Sequence, residues 1–172
     1  GYTQQGQGYE ALACLDRMRN EGLSPDAVTF TCILKACGII GAMSKGKQIH
    51  EDILNKGLLE RDIVLGNALV NMYAKCGDLE KARNVLEELP FRDVASWNNL
   101  IHHKGHVKES IQMFCRMQLE GIVPDQATFI YIVDTCATLE DFDNGRVCHV
   151  AIQSSHHHHD LAIGIALLRM YG

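Results

Sequence analysis

The chain has 172 residues, 47% of them hydrophobic, and a net charge of −5 from 16 Lys and Arg against 21 Asp and Glu. That apolar share can fill a sizeable core, but no stretch reaches the roughly 18 uninterrupted apolar residues a membrane helix needs. The seven cysteines form no CxxC pair, and their odd number argues against a disulfide framework or a zinc knuckle and for a reducing interior.

The negative charge works against any function that relies on neutralising phosphates with Lys and Arg, unless one groove carries a different local field. The first residues show neither a basic region ahead of an apolar run nor an Arg/Ser-rich transit pattern.

Taken in chain order, the sequence repeats itself. At an offset of 99 residues, Glu10 to His50 aligns with Glu109 to His149. Arg17, Gly22, Pro25, Asp26, Thr29, Phe30, Cys37, Gly46 and His50 recur as Arg116, Gly121, Pro124, Asp125, Thr128, Phe129, Cys136, Gly145 and His149. At an offset of 98, Gly66 to Tyr73 meets Gly164 to Tyr171, so the register slips by one residue near His156 to His159, as a loop allows.

Shorter units within this period each close on an aspartate: Asp26, Asp62, Asp93, Asp125 and Asp160. In the unit from Ile63, Leu65, Leu69 and Met72 mark one helix face, and Lys75 to Asp78 ends that helix. Asp78 then caps a second helix whose apolar face is Leu79, Ala82, Val85, Leu86 and Leu89. Pro25, Pro90 and Pro124 sit just past second helices, where a missing N–H costs nothing. Ala36, Gly38, Gly46, Ala68, Ala74, Gly77 and Ala82 are assigned to places where hairpin helices approach closely.

A hairpin with one apolar face cannot bury it alone, so successive hairpins stack. The expectation is an all-α fold, a right-handed α-solenoid of stacked helix-turn-helix repeats.

Three stretches carry a family resemblance: TFTCILKACGIIGAMSKGKQIHEDILNKG, VLGNALVNMYAKCGDLEKARNVLEELPFRD, and VASWNNLI followed by KESIQMFCRMQLEGIVPD. They resemble the long, short and standard motifs, in that cyclic order, of plant pentatricopeptide repeat proteins of the PLS subclass. The resemblance divides the chain into a partial standard motif (1–26), a long one (27–62), a short one (63–93), a shortened standard one (94–125), a long one (126–160) and a partial short one (161–172). The standard motif from Val94 lacks about three residues between Ile101 and Glu109, which predicts a truncated first helix and a tight hinge at Gly105.

The resemblance implies sequence-selective binding of single-stranded RNA, one base per motif, read by the fifth residue together with the last. On this chain the pairs are Thr31 with Asp62, Asn67 with Asp93, Asn98 with Asp125, and Ile130 with Asp160. Asn offers both a donor and an acceptor to an unstacked base, and a nearby carboxylate can orient it. By the family's correspondence, Asn with Asp favours uracil over cytosine, which gives a pyrimidine preference, UU at the consecutive short and standard motifs. Thr31 with Asp62 is a weak guanine reader, and Ile130 with Asp160 is silent.

Val28, Val64, Ala95 and Ala127 would form apolar platforms between bases. Lys75 is the phosphate candidate, ahead of Lys45, Lys47, Lys104 and Lys108.

The resemblance also implies an organellar site of action, mitochondrion or chloroplast, in RNA processing or C-to-U editing, with accessory editing proteins on the long motifs. The deaminase signature of some relatives, HxE followed by CxxC, does not occur, nor do GxxxxGK[ST], GxSxG or HExxH. The chain therefore reads as a binder and not an enzyme, with no cofactor. His156 to His159, like His102, His103 and His106, have no carboxylate or thiolate at ligand spacing, and no metal is assigned. The competing function is a protein-interaction solenoid of the tetratricopeptide kind, favoured by the acidic charge and disfavoured by the missing Trp/Gly/Tyr spacing.

Overall fold

The computed structural model describes residues 2–103 and 107–172, without side chains for residues 2–4 and 107. Among the described residues it is all-helical, with ten helices and no strand. The chain forms two compact units, residues 1–92 and 93–172.

The first unit contains α1 (Tyr2–Asn20), α2 (Ala27–Ile40), α3 (Met43–Asn55), α4 (Ile63–Lys75) and α5 (Leu79–Glu88). Here α2 packs against α1 on one side and α4 on the other, α3 closes over both α2 and α4, and α5 folds back on α4. Phe30, Leu34, Ile49, Ile53, Leu65, Leu69 and Met72 are wholly buried between them. The second unit contains α6 (Val94–Ile101), α7 (Val107–Leu119), α8 (Gln126–Leu139), α9 (Phe142–Gln153) and α10 (Leu161–Tyr171). In it α7 packs on α6 and α8, while α8 contacts α9 and α10.

Helix starts follow from the aspartates. Asp26, Asp62, Asp93, Asp125 and Asp160 are the N-caps of α2, α4, α6, α8 and α10, and each carboxylate accepts backbone N–H groups of the first turn. Asp78 and Asp141 cap α5 and α9 in the same way. A cap satisfies donors that no intrahelical carbonyl can reach, so one residue type sets the start of every first helix after α1.

Small residues set the spacing. Ala36, Ala68, Ala74 and Ala82 are buried. A methyl group on Gly46 would collide with the Met72 sulphur, and one on Gly145 with Met170, so the same close approach occurs once in each unit.

Gly77 corrects the expectation. A methyl group there would meet no other part of the chain; Gly77 is exposed with φ +88 and serves the left-handed turn after α4. The residues missing between Ile101 and Glu109 have their predicted consequence in α6, which has 8 residues where α2 and α8 have 14. Lys104, Gly105 and His106 lie outside the described residues.

Candidate nucleic-acid interface

The proposed readers lie in the first two turns of α2, α4, α6 and α8, each just beyond a capping aspartate. Each cap holds its own first turn. Asp62 accepts from the Val64 and Leu65 amides at 2.9 and 3.1 Å. Asp93 accepts from the Ser96 amide at 2.8 Å, while the Ser96 hydroxyl accepts from the Asp93 amide at 3.1 Å, a reciprocal capping box. Asp160 accepts from the Ala162 and Ile163 amides at 2.9 and 3.2 Å.

Asn98 and Asp125 are brought together. The Asn98 amide nitrogen donates to both Asp125 oxygens at 3.3 Å, although 27 residues separate them in sequence. The Thr128 hydroxyl lies 2.6 Å from Asp125 Oδ1 and 2.7 Å from Asn98 Oδ1, and the Thr128 amide donates to Asp125 Oδ1 at 2.8 Å. Thr128 is wholly buried, whereas Asn98 and Asp125 are half-buried. Burial tends to raise the Asp125 pKa. The hydrogen bonds from Thr128 and Asn98 outweigh it and hold the carboxyl below its usual value, so the group is anionic near neutrality.

The other candidates are placed less uniformly. Asn67 is half-buried on α4 with its carbonyl oxygen shielded from solvent, and Asp93 is exposed at the start of α6. Thr31 is buried, at 8% exposure. Ile130 is half-buried, and the nearby Asp160 accepts instead from the Gln126 side chain at 2.6 Å.

Val28 and Val64 stand out from their helices at 70% and 59% exposure, and Ala95 and Ala127 are exposed too. Exposed valines in the first turns of α2 and α4 are what a stacking platform needs, and a core has no use for them.

Lys75 is exposed, with its stem crossing α2 at Gly38. Lys45 and Lys47 are paired with Asp16 at 2.8 Å and Asp78 at 4.0 Å, and Lys108 is exposed.

Residues 1–38 match a model of the PPR repeat family, and residues 28–58 and 67–94 match a PPR repeat model. The chain belongs to the pentatricopeptide repeat family. It is 37% identical to a chloroplastic pentatricopeptide repeat-containing protein of Arabidopsis thaliana over 99% of this chain and 32% of the relative. A mitochondrial one from the same plant is 38% identical over 84% of this chain and 16% of the relative.

The crystal structure of the pentatricopeptide repeat protein PPR10 from maize superposes with a TM-score of 0.76 at 25% identity, covering 92% of this chain and 24% of that one. PPR10 in complex with an 18-nt psaJ RNA element gives 0.69 at 18% identity, over 93% and 23%. This pentatricopeptide repeat chain thus spans a third or less of the length of these proteins.

Two residues that touch the candidate readers, Thr128 and Gln126, were not among the candidates drawn from the sequence. The recurrence of Thr29 as Thr128 was visible, but its contact with Asn98 lies between helices. Gln126 carries no repeat signal.

Proposed function

We propose that this chain is a base-reading segment of a pentatricopeptide array that binds single-stranded RNA through the first turns of its first helices. The observation that carries this is the Asn98 carboxamide, half-exposed and anchored on the Asp125 carboxylate at the junction between two motifs. An amide with its orientation set by a part-buried network presents a donor and an acceptor in fixed order, which is what reading the edge of an unstacked base requires.

The exposed valines at 28 and 64 supply apolar faces for bases, and Lys75 supplies a cation for phosphate. PPR10, a protein of this family, was crystallised with RNA, and that supports the same ligand class here.

The finer reading is a long, short and standard motif cycle of the PLS subclass. It prefers pyrimidines, UU at Asn67/Asp93 and Asn98/Asp125, and acts in a mitochondrion or chloroplast in RNA processing or C-to-U editing. Any chemistry resides outside these residues, and the long motifs offer surface to accessory proteins. Relatives named as chloroplastic or mitochondrial proteins support the compartment.

Fluorescence anisotropy with U-rich, C-rich and A-rich single strands at low and moderate salt tests this. Tighter binding of the U-rich strand is expected. Equal binding of all three sinks base reading, and no binding at low salt turns the reading toward a protein-interaction solenoid.

A further inference from the structure

We infer that Thr128 is a positioning residue for base selection, so that the reading unit at Asn98 has three members and extends into the next motif. The inference rests on the RNA-reading proposal above. Capping alone accounts for part of the geometry. Thr29, at the equivalent place in α2, donates its amide and hydroxyl to Asp26 at 2.8 and 2.6 Å, just as Thr128 does to Asp125. Capping does not account for the 2.7 Å contact between the Thr128 hydroxyl and Asn98 Oδ1, on a helix 30 residues earlier. Nor does it need burial: Thr29 caps while half-exposed, whereas Thr128 is wholly buried.

The contact decides which way the amide faces. The Asn98 nitrogen reaches Asp125 at 3.3 Å, longer than the usual 2.9–3.0 Å, and the Thr128 hydroxyl at 2.7 Å from Asn98 Oδ1 adds a second restraint on the same amide. The single hydroxyl proton has Asp125 Oδ1 and Asn98 Oδ1 both in reach. With the amine turned to the carboxylate and the carbonyl to the hydroxyl, Asn98 keeps one N–H and one oxygen lone pair for a ligand.

A uracil edge offers an N–H flanked by carbonyl oxygens, while a cytosine edge places an amine beside a bare ring nitrogen. An amide free to turn over satisfies either base. One held by Thr128 favours one order of donor and acceptor. The equivalent third positions after Asp62 and Asp160 are Leu65 and Ile163, which have no hydroxyl, so the pairs at Thr31 and Ile130 lack this restraint.

The test uses the full chain and oligo-A single strands carrying one U or one C walked through the sequence. The readout is the ratio of the two dissociation constants, which a partly unfolded preparation leaves unchanged because the active fraction cancels. Thr128→Val should lower the U-over-C ratio about 3- to 10-fold, and Thr128→Ser should hold it within about twofold. If Thr128→Val leaves the ratio intact while Asn98→Ala abolishes it, the positioning role is overturned and base reading stands. Equal losses in Thr128→Val and Thr128→Ser assign the effect to packing, which also overturns it. An unaltered chain that does not distinguish U from C removes base reading and this inference together.

Discussion

The amide nitrogen of Asn98 bridges both carboxylate oxygens of Asp125 at 3.3 Å, joining the two residues proposed to read one base. The same carboxylate caps α8 through the Thr128 amide. Asp125→Ala should therefore do two separable things. Losing the cap should cost about 1 kcal/mol of stability by urea denaturation, and losing the anchor should weaken binding of a U-containing strand. Asp141→Ala is the control, since Asp141 caps α9, a second helix, and belongs to none of the proposed reading pairs. It should lower stability and leave RNA affinity unchanged. Loss of affinity in both variants would reduce the Asp125 effect to helix stability.

Asn98 and Asn67 are the paired candidates, but their surroundings differ. Asn98 has its amine on Asp125 and its carbonyl beside Thr128, and the residue is half-buried. The Asn67 carbonyl oxygen is shielded from solvent. Asn98→Ala should accordingly cost about 1–3 kcal/mol in binding to a matched strand, and Asn67→Ala less. Titration of both variants against one U-rich strand decides the order, and a larger loss at Asn67 contradicts it.

The helix boundaries were legible because one local signal, an aspartate ahead of an apolar-periodic run, fixes each first helix, and the capping hydrogen bond itself is made within one turn. The truncation of α6 was legible for the same reason, as missing residues in an otherwise periodic segment. What lies between helices was not. Gly77 sits among small residues that do pack closely, and nothing in the string separates a glycine needed for contact from one needed for positive φ. Gln126 on Asp160 and Thr128 on Asn98 join residues 34 and 30 apart, a distance set by how hairpins stack. The burial of Thr31 arises likewise from α1 and α4 flanking α2.

His50 gives the fold a pH dependence of definite sign. Its ring shares a 3.0 Å hydrogen bond with the Tyr73 hydroxyl at 5% exposure, and burial pushes its pKa below the usual 6.5. Lys81 pushes it the same way, while Glu88 and Glu51 oppose. The unfolded chain then takes up the proton first on acidification, so the stabilisation is complete above 6.5 and is lost as pH falls from there through the lowered folded value. Burial lowers the His102 pKa too, with the same sign. Urea midpoints should fall between about pH 7.5 and about pH 5, and His50→Gln should flatten part of that slope. A midpoint that rises on acidification contradicts the assignment.

The internal repeat supplies its own stability experiment at the end of α2 and α8. Gly41 closes α2 with φ +71, and 99 residues later Glu140 closes α8 with φ +54. An L side chain in that conformation costs about 1–2 kcal/mol, and a carboxylate beside the negative end of a helix adds a further small penalty. Glycine gives back about 0.4–1 kcal/mol through the entropy of the unfolded chain. Glu140→Gly should therefore stabilise the protein by about 0.5–1 kcal/mol and raise the midpoint of a circular-dichroism melt by a few degrees. Gly41→Glu should lower it. Because Gly41 is followed by the same return of the chain into a second helix, the two substitutions exchange one residue between equivalent caps, and opposite shifts are required. Shifts of the same sign would mean that the left-handed cap does not limit stability at either end.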